Sequence, residues 1–153
     1  MSDHTVFCSL CRLAARSAGL YDRETELMEN EERIRVLGFT KEWINLGIVD
    51  PETLERFFEE YSEGRDPHTE HYRWRAFQSY IRSKPSLDEI TACSLYQLGE
   101  NDPDIELGGS IMAAVLRRSD CPLKLLMKAA ASDRDFLTNI ATAKLPKGAP
   151  PQN

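Results

Sequence analysis

The chain has 153 residues, 41% of them hydrophobic and 29% charged, with 19 Lys+Arg against 25 Asp+Glu and a formal net charge of −6. That length suits one domain, and the apolar share is too high for a disordered chain. The acidity argues against a sequence-independent nucleic-acid binder, which needs a basic surface, and no apolar run approaches the roughly 18 residues of a membrane span.

Strand-length alternation is absent and β-branched residues never cluster, so the pattern predicts an all-α protein. Val6, Phe7, Leu10, Cys11, Leu13, Ala14 and Ala18 form a broad apolar face at helical spacing. Asp3, Ser9 and Arg12 deny this segment the form of a signal peptide, so the expected compartment is the cytoplasm. There Cys8, Cys11, Cys93 and Cys121 stay reduced. A polar segment, Tyr21 to Arg35, follows as a helix with a thin stripe of Leu27, Ile34 and Leu37. Gly38 stops it. A short helix starts near Thr40, Glu42 and Trp43 and breaks at Gly47.

Asp50-Pro51-Glu52 is a helix start: a capping carboxylate, a proline for the first position, then an acid suited to the dipole. Leu54, Phe57, Phe58 and Tyr61 give its apolar face, and Gly64 ends it. Asp66-Pro67 repeats the signal for a helix over about His68 to Arg82, with Trp74, Phe77, Tyr80 and Ile81 inward. Tyr72 falls out of that register and is expected at the surface. Ser86 with Glu89 reads as a capping box for the next helix, with Leu87, Ile90, Cys93, Leu95 and Leu98 inward and Gly99 at its end. Asp102-Pro103 starts a helix through Arg118. Pro122 starts one to about Ala131, and Asp133 the last, to about Leu145. Residues 146–153 have no apolar anchor and are expected to be disordered.

The last third contains internal similarity. Leu87, Ile90 and Cys93 align with Leu123, Leu126 and Ala129 at an offset of 36. Asp104, Glu106, Leu107, Ser110, Ile111, Ala114 and Leu116 align with Asp133, Asp135, Phe136, Asn139, Ile140, Ala143 and Leu145 at an offset of 29. The stretch from Asp120-Cys-Pro-Leu to Ala143-Lys-Leu resembles HEAT-type and leucine-rich-repeat-variant units, over residues 86–145. The resemblance implies a protein-binding scaffold with no catalytic residues to carry over. The expected architecture is a single domain over residues 1–145. It is an irregular helical bundle (1–85) continuing into a short, solenoid-like stack of α-helical hairpins (86–145).

Cys8-x-x-Cys11 with His68-x-x-His71 is the one metal-like combination, since zinc accepts two thiolates and two imidazoles. Against it, Cys11 lies on an apolar helix face and no knuckle glycine is present, so no cofactor is the main expectation and zinc the alternative. No phosphate loop, serine elbow or zinc-protease motif occurs, and the chain is not expected to be an enzyme. Gly108-Gly109 within a helix pattern suggests a close helix–helix approach or a late helix start.

The charge is uneven. Residues 22–70 carry a balance of −9 and the remainder +3. Such asymmetry can steer a basic partner to one face. Glu55, Glu59 and Glu63, on one side of their helix, and Tyr72 are the candidate contact residues. The leading expectation is a non-enzymatic intracellular protein-interaction module without membrane contact. The alternatives are an acidic inhibitor, such as a toxin-immunity protein or nucleic-acid mimic, and a small zinc protein.

Overall fold

The structure, a computed structural model, describes residues 23–146. The expected Val6–Ala18 helix, Cys8, Cys11 and the tail after Pro146 lie outside the described residues. Among those described there are eight helices and no strand: α1 Arg23–Leu37, α2 Lys41–Asn45, α3 Pro51–Ser62, α4 Thr69–Arg82, α5 Glu89–Asn101, α6 Ile105–Leu116, α7 Leu123–Ala130 and α8 Asp135–Lys144. The protein is all-α, as the periodicity predicts.

The Asp50-Pro51 start holds in detail. Pro51 is the first residue of α3, and the Asp50 carboxylate accepts the Thr53 N–H at 2.7 Å. Gly38 follows α1 with φ +80°, a conformation that closes a helix end and that side chains with a Cβ resist.

Three other starts fall later than the sequence signal, two residues after Asp66 and Asp102 and one after Asp133. Asp66, Asp102 and Ser132 do not cap their helices. Their side-chain oxygens instead accept the backbone N–H two residues on, from His68 at 3.0 Å, Asp104 at 2.9 Å and Arg134 at 3.0 Å. These acceptors of the turn precede the actual N-caps of α4, α6 and α8, which are His68, Asp104 and Arg134. Likewise Asp88, not Ser86, caps α5 by accepting the Thr91 N–H at 2.7 Å.

The helices pack in series. α1 lies against α3 and α4, α4 against α6, and α6 against both α5 and α8, while α7 pairs with α8. Rings fill the space between α3 and α4: the Tyr72 centroid is 5.4 Å from Phe57 and 6.5 Å from Tyr61. One apolar cluster runs through the described chain, from Leu37 and Trp43 through Phe57, Phe77 and Leu95 to Leu137 and Ala141.

The inward face of α4 is Tyr72, Arg73, Ala76 and Phe77. Trp74, Tyr80 and Ile81 are only half-buried. Tyr72 is therefore not a surface residue. It is fully buried, and its hydroxyl donates to the Asp66 carbonyl at 2.7 Å. Arg73 explains the rotation: it must face the core to reach Asp102 on the far side of it.

Gly99 does not end α5. It lies buried within the helix, against Gly108 of α6, so closely that a Cβ on Gly108 would sit 2.3 Å from the Gly99 carbonyl oxygen. The expected close approach is thus Gly99 on Gly108. The paired offsets also change. Ile90 is 80% exposed and cannot match the buried Leu126. The buried Leu95, Tyr96, Gly99, Leu107 and Ile111 instead stand 30 residues before the buried Leu125, Leu126, Ala129, Leu137 and Ala141. The N-caps Asp104 and Arg134 keep the same spacing.

Polar ties fasten the series at its ends. Arg118, just past α6, donates to the Ile81 carbonyl of α4 at 3.4 Å and forms a bidentate pair with Asp120. Asp120 in turn accepts the Leu87 N–H at 2.7 Å. Lys144 of α8 donates to the Leu116 carbonyl at 2.6 Å and to the Arg118 carbonyl. Basic groups here meet carbonyls at or just past helix C-termini, where the dipole favours a cation; the Ile81 and Arg118 carbonyls also accept the Lys84 and Cys121 N–H groups.

Candidate functional site

The acidic candidates on α3 divide. Glu55 is half-buried, and its carboxylate stands 3.8 Å from the buried guanidinium of Arg33 on α1. Arg33 also donates to Glu29 at 3.1 Å and Asn30 at 2.9 Å. Glu59 is half-buried too, and only Glu63 is well exposed, paired with Arg65. Nearby Glu60 holds Arg75 through contacts of 3.0 and 3.4 Å. Several of these acids are therefore paired with arginines of the same chain, one of them, Arg33, buried. Tyr72 does not join this surface.

His68 and His71 do come together, with ring centroids 5.0 Å apart. Each has a carboxylate neighbour: His71 Nδ1 is 2.8 Å from Asp66, and His68 Nδ1 is 3.7 Å from Glu70. The backbone N–H of His68, and then the His71 ring, hold the Asp66 carboxyl below its usual range. Among the described residues no three His, Cys, Asp or Glu side chains gather in a way that would hold a metal ion. Cys93 and Cys121 are half-buried free thiols, and burial pushes the Cys121 thiol up.

Clefts open on the surface of the described residues. The first, about 330 Å³, lies between α2 and α5. Buried Trp43 and Leu98 form its floor. Ser94, Gln97 and Asn101 of α5 face Asn45 of α2 across it, and Gly38, Asp102 and Pro103 close one end. Its volume falls in the range of small-ligand sites. The lining includes two carboxylates. Asp102 is neutralised by Arg73. Glu42 is exposed at the rim, and the Thr40 side chain holds its carboxyl below the usual range.

The second cleft, about 390 Å³, lies between α3, α4 and the loop before α3. Arg56 and Arg75 flank the Phe57 ring there, at 5.6 and 4.8 Å from its centroid. Arg75 is already paired with Glu60 and Asp50 caps α3, so its charges are mostly balanced by neighbours.

Large apolar side chains also reach the surface. Ile90 is 80% exposed, Ile105 71%, Leu123 52% and Phe136 41%. Each occupies the first or second position of its helix, one apiece on α5, α6, α7 and α8. Arg134 stacks over Phe136 at 4.9 Å and donates to the Ile105 carbonyl at 3.3 Å, which places this pair side by side. Sequence periodicity assigns Ile90 to the core and offers no signal for the first cleft, whose walls come from distant parts of the chain.

No helix of the described residues is long and apolar enough to cross a membrane. No protein-family model, no curated protein and no solved structure matches the chain.

Proposed function

We propose that this chain is a non-enzymatic protein-interaction module, built as a short stack of helix pairs. One observation carries this reading: each helix of the last two pairs exposes one large apolar side chain in its first turn. Single exposed apolar residues are ordinary. Here they fall in two pairs, Ile105 with Phe136 and Ile90 with Leu123, each pair offering adjacent apolar surface, and each such side chain would contribute about 1.5–3 kcal/mol if a partner buried it fully.

The stack itself has further support. α4, α6 and α8 follow one another in space, and each is entered by the same side-chain-to-backbone turn. Buried positions in α5–α8 recur at a 30-residue spacing, which fits repeated helix pairs but is shorter than the roughly 40–47 residues of HEAT-type units. An acidic-inhibitor role draws less support, because Glu55 and Glu60 face arginines of the same chain.

The test is affinity purification from native lysate with quantitative mass spectrometry. The wild type is compared with an Ile105→Glu, Phe136→Glu double variant and an Ile90→Glu, Leu123→Glu double variant. The expected result is a partner recovered by the wild type and lost from at least one variant at unchanged helical circular dichroism. Equal recovery by all three proteins would count against the exposed apolar set as the contact surface.

A further inference from the structure

The cleft between α2 and α5 is a different kind of surface from the exposed apolar set. Its walls carry primary amides: Gln97 and Asn101 on α5, and Asn45 on α2. All three are exposed, and none forms a hydrogen bond with another described residue. A primary amide offers two N–H donors and one carbonyl acceptor, the same groups as a peptide backbone.

The spacing matters as much as the chemistry. Gln97 and Asn101 are four residues apart on one helix face, so they are separated by about 6 Å along the axis. An extended peptide presents same-side backbone groups about every 6.6–6.8 Å. Two successive same-side residues of such a peptide can therefore each meet one amide. The floor of Trp43 and Leu98 is apolar. Glu42, at the rim, forms no ion pair with a described Lys or Arg, whereas Asp102 is neutralised within the fold. The cleft thus has one solvent-facing carboxylate, with Lys41 beside it in the chain, next to a row of neutral amides.

We infer that the α2–α5 cleft binds an extended peptide segment, held through its backbone by Gln97 and Asn101, with a Lys or Arg of the peptide placed against Glu42. The inference rests on the interaction reading only in taking the ligand to be a protein segment; it uses none of the exposed apolar residues. A nucleic-acid strand could also pair with amides, but its phosphates would meet Glu42 and an acidic chain, so the peptide is favoured.

The experiment is selection of the full-length chain against a phage-displayed library of random peptides of about 12 residues, followed by fluorescence anisotropy on the enriched sequences. The expected result is enrichment of peptides with a basic residue at a fixed position. Replacing both Gln97→Ala and Asn101→Ala should weaken their binding roughly tenfold, given the usual worth of two hydrogen bonds. Glu42→Gln should remove the preference for a basic residue while leaving the backbone-dependent part. These three side chains are exposed, so thermal melts should match the wild type and confirm folding. Three results overturn the inference: no enrichment, enriched peptides that bind the variants undiminished, or tighter binding of a fluorescein-labelled single-stranded DNA of mixed sequence. Peptides that bind the variants undiminished would remove the cleft yet leave the interaction reading standing. That reading fails separately, on equal partner recovery by the Ile105/Phe136 and Ile90/Leu123 variants.

Discussion

Arg73 and Asp102 form a two-pronged ion pair inside the fold: Nε donates to Oδ2 and Nη2 to Oδ1, each at 3.1 Å, with side chains only 3% and 1% exposed. The remaining guanidinium nitrogen Nη1 donates to the Leu37 carbonyl at 2.9 Å. A Cβ on Gly38 would stand 2.3 Å from that same nitrogen. One arginine thus joins the end of α1, the face of α4 and the turn between α5 and α6. Arg73→Met leaves the Asp102 carboxylate buried without its cation and should cost about 3–5 kcal/mol. The double variant Arg73→Met, Asp102→Leu should be less damaged than the sum of the two single variants. Urea unfolding of all four proteins measures the coupling, and strict additivity would show that the pair does not act as a unit.

Gly108→Ala tests the contact between α5 and α6. The new methyl would meet the Gly99 carbonyl oxygen, which is backbone and cannot turn aside. Helix propensity alone favours alanine by about 1 kcal/mol. Overpacking opposes it at about 1–3 kcal/mol. The steric term should win, and the melting temperature should fall. A rise would mean that the helices separate at little cost.

Acid should loosen the Asp120 tie. Arg118, and then the Leu87 N–H, lower the Asp120 pKa to about 2 from its ordinary 3.8. A carboxyl whose pKa is depressed in the folded state stabilises the fold fully above its unfolded pKa. That stabilisation, reduced by solvent at this partly exposed pair, is lost as pH falls from about 4 to about 2. Asp120→Asn should lower stability at pH 7 and flatten this part of the pH profile. Urea midpoints at pH 7, 4, 3 and 2 decide the matter. Parallel profiles for the two proteins would remove Asp120 as a source of acid sensitivity.

Lys144→Met should free the last carbonyls of α6. The loss of charge-assisted bonds at this partly exposed position should cost about 1–2 kcal/mol. Hydrogen exchange should quicken first in α8, whose attachment to α6 it weakens. Unchanged protection of α8 would show that packing of Leu137 and Ala141 suffices alone.

Much of the fold was legible because local chemistry decided it. Asp50, Pro51 and Gly38 act through bonds and dihedrals within a few residues, and their helix boundaries follow from the sequence. Asp66 and Asp102 were misread as caps because the same side chain can bond the N–H two residues on, and sequence does not separate the two uses. Tyr72 was misplaced for a different reason. The rotation of α4 is set by Arg73, whose partner lies 29 residues away, so the apolar stripe of Trp74 and Tyr80 misled. The offsets of 36 and 29 matched residue types, while burial follows 30; an error of one residue turns a helix face by about 100°. The amide cleft had no local signature at all, since Asn45 and Gln97 come to line one cleft only in the folded chain.

The ties at the helix ends have a direction. The Ile81 carbonyl of α4, which accepts the Lys84 N–H, gains a second donor from Arg118 beyond α6, and Leu116 of α6 gains Lys144 at the end of α8. During synthesis each pair would therefore leave the ribosome before the side chain that fastens its last turn. Shortening the chain from its C-terminus should loosen the end of the preceding pair as well as remove the last one.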